Sequence, residues 1–203
     1  MSADAAAFEA CISGGGVAVF PADTVYGLAC DPASGVAVNR LYALKGRPAD
    51  KPAAVLFFSL APALAALPEV TPRLRSALLA LLPGPVTLLL PNPLARWPLA
   101  CGPDPWTLGL RVPAPGALVE VAVPVLQSSA NRSGGADPRA VDQIDPALRD
   151  GADLLVDGGL LPGTPSTVID LRELERGGGW DVLREGAMTR EEVAAALSQG
   201  ALG

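Results

Sequence analysis

Histidine is absent from all 203 residues, so no acid–base step or catalytic triad built on imidazole is open to this chain. Cysteine is scarce. Cys11, Cys30 and Cys101 form an odd set, far apart, with neither the close pairs of a zinc site nor the pattern of a disulfide framework, and no metal site is expected. Aromatic residues make up 4%, which leaves the core to Val, Leu and Ala. Long apolar runs are missing as well: the most apolar one, 77–90, is broken by Pro83-Gly84-Pro85 and is too short to span a bilayer. The N-terminal Met1-Ser2-Ala3-Asp4 lacks the basic start and apolar stretch of a signal peptide. A cytoplasmic protein with no membrane partner is expected. Broad positive charge is also lacking: the formal net charge is −6 and the pI about 4.6, which opposes an extended nucleic-acid footprint but allows a local pocket for a small anion.

What remains is ample for folding. Half of the residues are hydrophobic and 18% are charged, and 203 residues suit one domain over 1–203 with a sizeable core. Only two of the fifteen cationic residues are lysines, and both lie in Lys45-Gly46-Arg47-Pro48-Ala49-Asp50-Lys51-Pro52. A compact, flexible ammonium is kept where arginine cannot copy it, on a segment that Pro48 and Pro52 stiffen and Gly46 lets turn. Three cations on a stiff loop make a clamp for an anion such as a nucleoside triphosphate. They equally suit the solvated C-terminus of a helix.

In chain order, Ser2 caps a helix to about residue 12, which Gly14-Gly15-Gly16 stops, and 17–20 is a buried strand. The polar cluster Asp23, Thr24 and Tyr26 within 21–28 then marks either a ligand site at a strand end or an ordinary turn. Ser34 caps a helix over 35–44, which delivers Lys45 and Arg47 at its end. Strands are expected over 53–59, 86–90, 107–112, 125–127, 151–157, 165–170 and 180–183, and helices over 61–66, 72–82, 115–123 and 189–197. Arg111 ends an apolar strand and needs an anion, supplied by the fold or by a ligand. The loop Ser128-Ser129-Ala130-Asn131-Arg132-Ser133-Gly134-Gly135 is rich in hydroxyl and amide donors around a permissive backbone, without the Gly-Lys-Ser/Thr of a Walker loop. Alternation of helices and strands, with strands crowding the second half, predicts an α/β fold with antiparallel additions to the sheet.

Seven segments in register carry a resemblance: Pro-Ala-Asp-Thr-Val-Tyr-Gly-Leu at 21–28, Lys-Gly-Arg-Pro at 45–48, Pro-Gly-Pro-Val-Thr at 83–87, Leu-Gly-Leu-Arg-Val-Pro at 108–113, Ser-Ala-Asn-Arg-Ser-Gly at 129–134, Ser-Thr-Val-Ile-Asp at 166–170 and Leu-Arg-Glu-Gly at 183–186. Over roughly 10–190 the chain resembles the YrdC/TsaC-like family of threonylcarbamoyladenylate synthases. The resemblance implies a twisted mixed α/β sheet with flanking helices around a concave, cationic cavity. It implies condensation of L-threonine, bicarbonate and ATP, with Mg²⁺, to threonylcarbamoyl-AMP and diphosphate. A separate transferase would then modify the tRNA adenosine beside the anticodon, so any tRNA contact of this chain is weak or indirect.

Carried over by position, Lys45, Arg47 and Lys51 would face the phosphates, Lys45 and Arg47 as the catalytic pair. Thr107, Ser129, Asn131, Ser133 and Arg184 would help hold the nucleotide; Thr24, Arg111 and Ser166 would hold the threonine. Two departures bear on the amino acid: Ala22 stands where the family usually has threonine, and Leu56 where some members have histidine. The sequence stops soon after the last motif, so the extra C-terminal domain of longer relatives is expected to be absent. Two alternatives stay open: a paralogue with another carbamoyl substrate, and an RNA-binding or ribosome-maturation protein.

Overall fold

The computed structural model describes residues 1–200. In chain order the elements are α1 (Ala3–Ser13), β1 (Ala18–Pro21), β2 (Tyr26–Cys30), α2 (Gly35–Lys45), β3 (Ala54–Leu56), α3 (Leu60–Ala66), α4 (Pro72–Leu81), β4 (Val86–Pro91) and α5 (Pro98–Cys101). There follow β5 (Thr107–Arg111), β6 (Val125–Ser129), α6 (Pro146–Gly151), β7 (Leu154–Leu155), β8 (Thr167–Asp170), β9 (Asp181–Arg184) and α7 (Arg190–Gly200). The strands form one mixed sheet in the order β7-β1-β2-β6-β3-β5-β4-β8-β9. Pairs β1–β7, β3–β5 and β4–β8 are parallel and the other five antiparallel. Among the described residues no helix is long and apolar enough to cross a membrane.

The helix starts follow their caps. Ser2, Ser34 and Thr71 accept from Ala5 N, Ala37 N and Leu74 N at 3.2, 3.3 and 3.4 Å. α2 ends on Gly46, whose φ of 58° closes the helix through N–H bonds back to Tyr42 and Ala43. The two faces of the sheet differ. Along β4, Val86, Leu88 and Leu90 point into the larger core with α2, α3, α4, α6 and α7, while Thr87 and Leu89 alternate to the other face. On that other face a second core gathers Phe8 and Ile12 of α1 with Phe20, Leu56 and Phe58. The rings of Phe8, Phe20 and Phe58 meet edge to face, centroids 5.3 to 5.9 Å apart. This second core covers one end of the face and leaves the β3–β5–β4–β8 end bare.

Two expectations need correction, and one strand was not expected. Residues 115–123 form no helix: consecutive turns from Gly116 and Leu118 bury Leu118 and Val121, so an apolar spacing of three is met by turns. The 151–157 strand shrinks to Leu154–Leu155, because Asp145 and Pro146 cap and start α6 immediately before it. The cluster at 21–28 is a hairpin bend, since the chain returns at Tyr26 as β2. All five residues of β2 are buried, so it carries no alternation to read. Its Gly27 is required by packing: a Cβ there would lie 2.8 Å from the ring of Phe20.

Candidate functional site

The bare end of the sheet floors a cavity of about 650 Å³. Small residues keep the floor low: Ala54 of β3 pairs with Gly109 of β5, and Leu89 of β4 lies beside them. The walls are the loops and strand ends around 45–53, 101–107, 127–137, 165–172 and 184. Six lining residues are Lys45, Arg47, Lys51, Arg111, Arg172 and Arg184, against two acids, Asp104 and Asp137. An acidic chain thus concentrates positive charge in one recess.

The lysine stretch is braced from several sides. Lys51 N donates to Pro48 O at 3.1 Å, Tyr42 Oη to Lys51 O at 3.0 Å, and Ala53 N to Ala100 O at 2.8 Å. Arg47 donates through Nη2 to the Pro52 carbonyl and stacks over Tyr42, 5.7 Å from the ring centroid; its Nε is buried without a partner. Gly102, at φ 64°, presses its backbone against the same loop, where a Cβ would stand 2.5 Å from Asp50 O. Lys51 is exposed on the cavity wall.

Lys45 is only 2% exposed. Its ammonium donates to the carbonyls of Ser129 and Asn131, the latter at 2.7 Å, and to Asn131 Oδ1 at 3.0 Å. All three of its protons are therefore engaged in fastening the 129–135 loop to the end of α2, and Ser133 N returns a bond to Lys45 O at 3.0 Å. Burial, together with the Arg47 charge, pulls the Lys45 ammonium down to about 8, and Asp137 opposes that shift. Ser129 Oγ donates to Asn131 Oδ1 at 2.7 Å, while the Ser133 side chain is exposed on the wall.

Arg111 has its anion within the fold. Nη2 meets Asp23 Oδ1 at 2.7 Å and Thr24 Oγ1 at 3.2 Å, Nη1 meets Gln127 Oε1 at 3.3 Å, and Nε has no partner. The two charged side chains are 4% and 7% exposed. Burial lowers the Arg111 pKa from the ordinary arginine value, with Asp23 opposing and Arg184 adding to the shift. Thr24 is buried behind Arg111 and does not itself line the cavity. Ser166 does, bonded to Thr87 Oγ1 at 2.9 Å, and Arg184 Nη2 donates to Ser166 O at 2.7 Å. Ala22 lies elsewhere, in a smaller apolar recess with Pro21, Phe58, Pro113 and Leu118; Leu56 is fully buried in the second core.

Of the residues singled out from sequence, Lys45, Arg47, Lys51, Thr107, Arg111, Ser129, Asn131, Ser133, Ser166 and Arg184 share this one cavity. Thr87, Asp104, Gln127, Asp137 and Arg172 also line it and were not anticipated. Thr87 was findable as the one polar residue of an apolar strand, and Gln127 as the residue where apolar β6 turns polar; the three loop residues carried no such signal. Among the described residues no group of three or more His, Cys, Asp and Glu is placed to hold a metal ion.

The recess lies on a sheet face and is lined by cations and by hydroxyls, a lining suited to a compact anionic ligand. The Sua5/YciO/YrdC model, described as telomere recombination, matches residues 10–186, and the chain belongs to that family. It is 31% identical over 193 residues to a threonylcarbamoyl-AMP synthase of Pyrococcus abyssi, covering 91% of this chain and 54% of that one. It is 32% identical over 162 residues to one of Marinobacter nauticus, covering 77% and 85%. The chain thus spans about half of the first relative and most of the second. The solved structure of P. abyssi Sua5 complexed with L-threonine superposes with a TM-score of 0.82 at 28% identity, over 95% of this chain and 56% of that one. E. coli YciO shares the fold, with a TM-score of 0.78 at 24% identity over 93% and 92% of the two chains.

Proposed function

We propose that the chain condenses L-threonine, bicarbonate and ATP into threonylcarbamoyl-AMP, diphosphate and water, as the names of its relatives suggest. The observation that carries this reading is the convergence, in one cavity, of the lysine loop, the 129–135 loop and the Arg111–Ser166–Arg184 wall. The amine of threonine takes up the one-carbon unit with loss of water, and a carbamate oxygen then attacks the α-phosphorus of ATP as the bond to diphosphate breaks. Neither bond needs a protein nucleophile, which suits a cavity without histidine whose lining thiol, Cys101, is buried with its pKa raised. The chain's work is charge neutralisation and positioning.

Lys51 and Arg47 face the triphosphate. Lys45 acts through the 129–131 backbone that it holds, so that Ser129, Asn131 and Ser133 meet the nucleotide on a fixed loop. Ser166 takes the amino-acid end, with Arg111 and Thr24 as the buried support beneath, and Arg184, from β9, reaches the nucleotide. Mg²⁺ enters with ATP as part of the substrate, held by the triphosphate. The product, a mixed carbamic–phosphoric anhydride, is consumed by a separate transferase that passes the threonylcarbamoyl group to tRNA.

The test is incubation with MgATP, labelled bicarbonate and each amino acid in turn. Threonine-dependent release of diphosphate with a labelled adenylate is expected. Turnover with another acceptor and none with threonine would overturn the threonine assignment, and no adenylate with any amino acid would overturn the reaction.

A further inference from the structure

One corner of the cavity differs in kind from the rest. Arg172 forks onto Asp170, Nε to Oδ1 at 2.9 Å and Nη2 to Oδ2 at 2.6 Å. Its Nη1 reaches across to Thr107 Oγ1 at 3.2 Å, and that hydroxyl donates to Asp104 Oδ2 at 2.6 Å; Asp104 Oδ1 accepts from Trp106 N at 3.1 Å. Asp104, Thr107 and Arg172 line the cavity, and Asp104 is exposed. The chain Asp170–Arg172–Thr107–Asp104 carries two negative charges and one positive, while the other lining residues are strongly cationic. A triphosphate is repelled from this corner and drawn to the others.

The single hydroxyl proton of Thr107 is spent on Asp104, and Arg172 is held by three bonds, so the corner is rigid. Each carboxylate oxygen of Asp104 accepts one bond and keeps further acceptor capacity, on a residue that lines the cavity. A fixed, acceptor-rich carboxylate calls for a hydrogen-bond donor, and its charge strengthens the bond even to a neutral one.

We propose that Asp104, fixed by Thr107 and Arg172, takes a hydrogen-bond donor of the nucleoside part of the nucleotide, either a ribose hydroxyl or the exocyclic amine of the base. This rests on the nucleotide assignment above but not on the amino acid or the reaction. Asp104 is then a specificity residue, which the triphosphate contacts alone would not supply.

Calorimetric binding of ATP, 2′-deoxyATP, 3′-deoxyATP and ITP, without threonine, tests it on the wild type, Asp104→Ala and Asp104→Asn. The wild type is expected to bind at least one of the three analogues about tenfold more weakly than ATP, the worth of one charge-assisted hydrogen bond at a solvated site. Which analogue suffers tells ribose from base. That penalty should fall to within about twofold in Asp104→Ala and to an intermediate value in Asp104→Asn, which keeps the shape and one acceptor oxygen. Equal binding of all four nucleotides by the wild type, or an unchanged penalty in both variants, overturns the proposal. Discrimination by Asp104 with no adenylate formed from threonine would sink the reaction instead, so the two failures are told apart.

Discussion

Replacing Asp23 by asparagine keeps the shape of the side chain and removes the charge that faces Arg111. The guanidinium is then left 4% exposed, with Thr24 and Gln127 as neutral acceptors and its Nε still unpaired. Breaking one side of a buried ion pair costs about 3–5 kcal/mol, because the remaining charge is stranded in a medium that solvates it poorly. The two neutral acceptors put this site at the lower end, about 3 kcal/mol. For a chain of this length that is a fall in Tm of about 6–12 °C. The measurement is denaturant and thermal unfolding of the wild type, Asp23→Asn, Arg111→Gln and the double variant. The double variant should recover at least about 2 kcal/mol of the sum of the single losses, as the coupling of a pair in contact requires. A loss below about 1 kcal/mol in Asp23→Asn, or strict additivity, would refute the view that Asp23 is the structural counter-ion.

Four further outcomes follow from the same geometry. Nucleotide affinity should fall as pH rises through about 8, because Lys45 loses its proton there, and with it both a positive charge in the cavity and one bond to the 129–131 loop; affinity measured from pH 6.5 to 9.5 should show a step near 8 in the wild type and none in Lys45→Gln. For stability the sign runs the other way: the buried Lys45 releases its proton more readily than the unfolded chain does, so its contribution grows between about pH 8 and the ordinary lysine value, as chemical unfolding across that window would reveal. Gly102→Ala should cost about 1–3 kcal/mol in unfolding and raise the ATP KM more than the threonine KM, since the new methyl pushes on Asp50 O and the lysine loop must yield. Ala22→Thr should leave the threonine KM within about twofold while lowering stability by about 1 kcal/mol, because position 22 faces an apolar recess where a hydroxyl finds little to bond; a marked fall in that KM would place residue 22 at the amino acid after all.

Much of this molecule was legible before its structure. Ser2, Ser34 and Thr71–Pro72 announce their helices because a cap is a local event, decided by residues within one turn. The strand at 86–90 was legible as an apolar run, although its alternation of buried and half-buried residues, set by core on one side and cavity on the other, shows only in the fold. β2 escaped notice for the opposite reason, being buried on both sides and opened by a glycine that resembles a turn. The 115–123 segment misled because Leu118 and Val121 sit three apart for the sake of a core that turns fill as well as a helix. At the site, the motif residues could be gathered from sequence but their partners could not. The spacing of Lys45 says nothing of the Ser129 and Asn131 carbonyls, more than eighty residues away, that engage its ammonium. Arg111 announced its need for an anion, yet whether Asp23 or a ligand would supply it depends on the packing of β5 beside β3 and the bend before β2. Asp104 and Arg172 lie in irregular segments, where no period marks a direction.

The order of the strands has a consequence for what a bound nucleotide does to the molecule as a whole. Ser129 and Gln127 belong to β6 in the middle of the sheet, while Ser166 and Arg184 belong to the β8–β9 margin, whose strand ladder joins the rest through β4 alone. A ligand that touches both ends of the cavity is a cross-brace over four strand boundaries, fastening the late-sequence margin to the centre from outside the hydrogen-bond ladder. Occupancy at a hundred times Kd adds about 2.7 kcal/mol to the stability of everything that must be folded for the cavity to exist. That increment falls on the margin that the ladder secures least, so amide protons of β8 and β9 are the ones whose exchange a saturating nucleotide slows most.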